Sequence, residues 1–192
     1  MSFSFPLLPL TEWFPPEPFP DLSGIAIATR FRELLASTDS LTRRLERLTG
    51  LESRVRIEEQ SVQQSASAVD EPLWDARYRL PGEEAVLTRN AWLRLGSEEL
   101  VFAHSQLALN GMDPPIRSAI VAGDQPLGSL FLARDEQVER RHLQLAACRA
   151  PGLAARIARN PDHPFIVRRS LFLVAGVPCG RILELFLTDL SR

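Results

Sequence analysis

The chain has 192 residues, 45% hydrophobic and 24% charged, an ordinary globular composition and long enough to bury a core without staples. Its net charge of -2 argues against a nucleic-acid or anionic-membrane partner, and no uncharged apolar run approaches the ~20 residues of a spanning helix. All 22 basic residues are arginine, which excludes Schiff-base chemistry on lysine and a Walker-type phosphate lysine.

Residues 1–22 carry Pro6, Pro9, Pro15, Pro16, Pro18 and Pro20 among Phe3, Phe5, Trp13, Phe14 and Phe19. Proline at this density forbids helix and interior strand. The segment reads as an extended arm lying on the body, or as a tail that docks on a protein partner. It lacks a basic n-region and is broken by prolines, so it is not a signal peptide; a soluble, cytoplasmic protein is expected.

The remaining 23–192 read as one α+β domain. Ile25, Ala28, Phe31, Leu34 and Leu35 fall at helical spacing, and a second helix over 41–48 groups Leu41, Leu45 and Leu48 before a stop at Gly50. Val55 and Ile57 then alternate with charge as a half-buried strand does. The polar stretch 60–70 predicts a loop or a bulged strand end. Residues 84–95 and 99–109 form a hairpin about Gly96-Ser97-Glu98. Residues 110–123 read as loop with one helical turn at 116–121, and 127–132 are apolar. The segment 138–147 alternates like a strand at Leu143-Gln144-Leu145 but has a helical composition. A short helix at 153–159 follows, then a very apolar hairpin, 165–174 and 181–187, joined across 175–180.

Familiar catalytic signatures are missing: there is no G-x-G-x-x-G, no G-x-S-x-G and no H-E-x-x-H. His104, His142 and His163 do not sit at ligand spacing, so no metal site is expected. Cys148 and Cys179 read as two thiols rather than a disulfide. Two charged residues stand in apolar strands. Glu184 lies within Ile182-Leu183-Glu184-Leu185-Phe186, and Arg89 within Val86-Leu87-Thr88-Arg89-Asn90-Ala91-Trp92. Either alternation turns them to solvent, or they point inward as an Arg–Glu pair at the base of a sheet cavity. Such a pair suits a ligand with a carboxylate at one end and a hydroxyl at the other. Arg168 and Arg169 are adjacent on a strand, so at most one serves a given pocket and the other is expected at the surface.

Several stretches, in order and covering most of 31–189, resemble the bacterial chorismate pyruvate-lyase family. They are Asp39-Ser40-Leu41-Thr42-Arg43-Arg44, Leu87-Thr88-Arg89-Asn90-Ala91-Trp92-Leu93, Pro126-Leu127-Gly128-Ser129-Leu130-Phe131, and Arg168-Arg169-Ser170 followed by Leu183-Glu184-Leu185-Phe186-Leu187. The resemblance implies a single antiparallel sheet with helical flaps over an internal ligand site, and makes 138–147 a strand. It implies conversion of chorismate to 4-hydroxybenzoate and pyruvate, a first step towards ubiquinone, with no metal or cofactor. Arg89 and Glu184 match the family's polar ligand-binding residues, while Leu41 and Leu127 match its apolar or backbone contacts. His104 stands where the family has a second arginine, and would meet the second carboxylate. The same architecture also serves non-catalytic domains, so a binding protein for a small aromatic carboxylate is the alternative.

Overall fold

The computed structural model describes residues 5–22, 24–63, 73–81, 85–110, 112–123, 127 and 138–187. Of the expected features, residues 64–70 of the polar stretch, and the apolar stretch 127–132 apart from Leu127, lie outside these.

One antiparallel sheet of seven strands forms the body. Its strands are β1 (Leu8–Pro9), β2 (Ser53–Gln63), β3 (Val86–Leu95), β4 (Glu98–Ala108), β5 (Val138–Arg149), β6 (Pro164–Val174) and β7 (Val177–Phe186). Their spatial order is β1-β5-β6-β7-β4-β3-β2. Both expected hairpins form. The second closes in two residues rather than six, because Ala175 and Gly176 both take left-handed φ (48° and 78°) and Val174 pairs directly with Val177. The segment 138–149 is strand, as the resemblance implies.

Among the described residues four α-helices accompany the sheet: α1 (Thr29–Ala36), α2 (Leu41–Thr49), α3 (Pro114–Ala122) and α4 (Pro151–Arg156). Helix α1 starts later than its apolar spacing suggests, at Thr29. Helix α2 is capped by Ser40, whose hydroxyl accepts from the Arg43 N–H, and stops at Gly50 with φ 70°. Helix α3 replaces the expected single turn, opening on Pro114 and Pro115 and closing at Gly123.

Strand alternation gives the sheet two buried faces. On one, Trp92, Phe102, Val167, Leu183 and Leu185 pack with Tyr78, Leu153 and the arm residues Phe5, Leu7 and Trp13. On the other, Val101, Leu145, Ile166 and Phe186 pack under Leu34, Leu35, Leu41 and Leu45 of α1 and α2.

The proline-rich arm is therefore part of the body. Leu8 and Pro9 pair with Arg149 and Cys148, Phe14 bridges Leu145, and the Phe5 ring meets Phe102 edge-on at 5.1 Å. Phe5, Trp13 and Phe14 are engaged within the chain, so the described part of the arm lies on the body, the first of the two readings of it. Arg169 overturns an expectation: it is buried, not at the surface. Its guanidinium stacks on Trp13 at 4.1 Å and Tyr78 at 4.8 Å, and donates to Gln144, Asp75 and the Leu73 carbonyl. The arm supplies the lid that buries it. Both cysteines are free thiols. Among the described residues no helix is long and apolar enough to cross a membrane.

Candidate functional site

The face beneath α1 and α2 is built in rows of laterally paired residues. One runs Gln60–Arg89–Ser105–Ile182–Ser170, and the next runs Ile57–Ala91–Ala103–Glu184–Arg168. The flanking rows carry leucine, valine and phenylalanine, but Ala91 and Ala103 stand side by side. Two small side chains together leave a hollow in an otherwise filled layer. A cavity of about 710 Å³, counted to its open mouth, lies there. Leu41, Thr42, Leu127, Phe172 and Ile182 border it, and Arg89, Arg140 and Glu184 supply its charges.

Arg89 is 2% exposed. Its Nε donates to Gln60 Oε1 at 2.7 Å, and Nη2 donates to the Ile120 carbonyl at the C-terminal end of α3. Gln60 Nε2 in turn holds the Val121 carbonyl at 2.7 Å. The partners of this cation are thus a side-chain amide and the negative end of a helix, and no carboxylate among the described residues pairs with it. Burial pushes its pKa down to about 10.

Glu184 is held very differently. Arg168 Nε donates to Oε2 at 2.7 Å, with Nη2 at 2.7 Å from the same oxygen. Arg140 reaches both oxygens, at 3.0 and 3.3 Å, and also donates to Ser170 Oγ at 2.8 Å. Burial works to raise the Glu184 pKa, but the two guanidiniums and their hydrogen bonds outweigh it and hold the carboxyl below its usual range. Glu184 is therefore an anion with an acceptor face towards the cavity. Arg168 is wholly buried behind it, and its Nη1 also lies 3.2 Å from the Leu34 carbonyl at the end of α1.

Four of the five expected site residues line the one cavity: Leu41, Arg89, Leu127 and Glu184. Arg89 and Glu184 face inward but are not a bonded pair. One row of register and two strand spacings put their Cα atoms roughly 12 Å apart. His104 is the exception. Alternation turns Ala103 and Ser105 to the cavity and His104 to the opposite face, where its Nδ1 lies 2.7 Å from Asn90 Oδ1. Arg140 was missed by sequence reasoning, hidden in the one segment whose secondary structure was ambiguous. Among the described residues no group of three His, Cys, Asp or Glu could hold a metal ion.

Solved structures share the fold. The effector domain of PhnF from Mycobacterium smegmatis superimposes with a TM-score of 0.61 at 15% identity, over 80% of this chain and 91% of that one. The ligand-binding domain of a transcriptional regulator assigned to the GntR family, from Bordetella bronchiseptica, gives 0.53 at 22% identity over 71% and 86%. A GntR-family regulator from Enterococcus faecalis gives 0.52 at 11% identity over 72% and 96%. No curated protein matches the chain. A family model, described as chorismate pyruvate-lyase Rv2949c-like, matches residues 35–192, and with most of its length so matched the chain belongs to that family.

Proposed function

We propose that this protein is a chorismate pyruvate-lyase, acting in the cytoplasm and yielding 4-hydroxybenzoate and pyruvate. One observation carries the reading: a buried guanidinium with no carboxylate partner among the described residues, Arg89, shares an apolar-walled cavity with a buried, ionised acceptor, Glu184. Arg89 binds the ring carboxylate, a charge-assisted contact. Glu184 accepts a hydrogen bond from the ring hydroxyl. Leu41, Leu127, Phe172 and Ile182 flank the ring and exclude water. His104, turned to the other face, takes no part.

The chemistry asks mostly for positioning and electrostatics. The ether bond from the ring to the enolpyruvyl group breaks. The neighbouring ring carbon, which bears the hydroxyl, gives up its hydrogen as a proton, and the C–H electron pair completes the aromatic ring. The departing enolpyruvate takes up a proton and becomes pyruvate. The 4-hydroxybenzoate so formed would serve as a precursor for ubiquinone-type quinones.

The test is purified protein with chorismate, following 4-hydroxybenzoate by chromatography and pyruvate by a coupled assay. Equal yields of both, lost in Arg89→Met, support the lyase. Because the fold is also that of regulator ligand-binding domains, the second reading is a non-catalytic protein for a small aromatic carboxylate. Tight binding of 4-hydroxybenzoate without turnover of chorismate would select it.

A further inference from the structure

Glu184 is the one carboxylate among the described residues lining the cavity, and two guanidiniums lie against it. With Arg89, the described residues of the site comprise three cations and one anion, an excess of two positive charges. A ligand with a single carboxylate leaves one of these buried and uncompensated, which is unfavourable. The two arginines at Glu184 are not equivalent. Arg168 is wholly enclosed, spans Glu184 and the end of α1, and does not line the cavity. Arg140 comes from β5, lines the cavity, and keeps only the longer pair of contacts to Glu184.

We infer that Arg140 is a ligand-binding and specificity residue that takes the second carboxylate of a dianionic ligand; this rests on the proposed function above. The connectivity of the substrate class agrees. The hydroxyl and the ether-linked carboxylate are carried on neighbouring ring carbons, so the acceptor for one and the cation for the other must be neighbours. Glu184 and Arg140 are. The second cation of the site thus comes from β5, across the sheet from the β4 position where the family resemblance placed it.

The experiment compares two stable aromatic probes by calorimetry: 4-hydroxybenzoate, and 3-(carboxymethoxy)-4-hydroxybenzoate, which adds an ether-linked carboxylate beside the hydroxyl. The wild type is expected to prefer the dicarboxylate. Arg140→Met should weaken it about tenfold more than it weakens 4-hydroxybenzoate, the scale of one charged hydrogen bond, and Arg140→Lys should restore part of the difference. Equal losses for both probes would mean that Arg140 only positions Glu184, and would overturn the inference. So would a wild type with no preference. Chorismate turnover, measured separately, tells the two proposals apart: turnover with equal losses keeps the lyase and removes the Arg140 subsite. No turnover with unequal losses does the reverse, and binding of neither probe removes both.

Discussion

Replacing Arg89 by methionine should separate stability from ligand binding. Burial lowers the Arg89 pKa from its ordinary value to about 10, so the folded protein disfavours the charged form by about 3 kcal/mol. Against that stand two hydrogen bonds, to Gln60 and to the Ile120 carbonyl, worth roughly 1.5–3 kcal/mol each from a charged donor. The variant should therefore lie between no change and a loss of about 3 kcal/mol in the ligand-free protein. Affinity for 4-hydroxybenzoate should fall far more, by about 2–5 kcal/mol, the range for truncating one member of a buried charge pair. Urea unfolding followed by tryptophan fluorescence gives the first quantity and calorimetry the second. Unfolding of the wild type at saturating ligand, about 100 times Kd, should also show about 2.7 kcal/mol of added stability, falling below about 1 kcal/mol in the variant at the same ligand concentration. A folded-state pKa below the unfolded one also has a sign: the penalty is present at neutral pH and fades as pH rises through about 10, a gain in stability that the variant should lack. Affinity within threefold of wild type would refute the assignment of Arg89 to the ligand. So would a stability loss well beyond 3 kcal/mol with binding intact, which would make Arg89 a pillar for α3.

Three further outcomes follow. Glu184→Gln leaves Arg140 and Arg168 facing each other without their anion, and should cost about 3–5 kcal/mol in chemical denaturation; in the wild type the Glu184 contribution is present above its unfolded value near 4.5 and lost as pH falls through its lower folded value. Ala103→Val fills the hollow beside Ala91, so ligand affinity should fall at least about tenfold while the melting temperature holds or rises; unchanged affinity would move the ligand elsewhere. Trp13→Ala removes the ring stacked on Arg169 and should cost about 2 kcal/mol, with binding of 4-hydroxybenzoate retained once the protein is folded.

The fold was legible where the sequence has a single period. The hairpin over 86–95 and 98–108, the stop of α2 at Gly50 and the two strands of the apolar final hairpin formed close to where local pattern placed them, the last with a tighter turn. Pattern failed where tertiary contacts decide. Helix α3 is mostly apolar with little polar contrast, and its two leading prolines look like a break until they are seen to open a helix. Segment 138–149 hides its period because a register shift between Arg141 and Gln144, with His142 at φ 52°, interrupts the alternation. The same shift concealed Arg140. Arg89 and Glu184 could be named because charge in an apolar strand is conspicuous, but their partners could not, since Gln60, Arg140 and Arg168 arrive from other strands. His104 shows the limit of transfer by resemblance: one residue of strand offset exchanges cavity for core.

Both arginines at the extremes of the site also grip the end of a helix, Arg89 at Ile120 of α3 and Arg168 at Leu34 of α1. If Arg89 takes the ligand as proposed and Arg168 holds Glu184 in place for it, ligand recognition and the seating of the helical cover are written into the same side chains. In evolutionary terms this constrains how a descendant could change its ligand. Mutation at 89 or 168 disturbs recognition and cover at once, whereas mutation at 91, 103 or 105 reshapes the floor with neither helix released. Divergent members with new ligands are expected to keep the arginines and vary the floor.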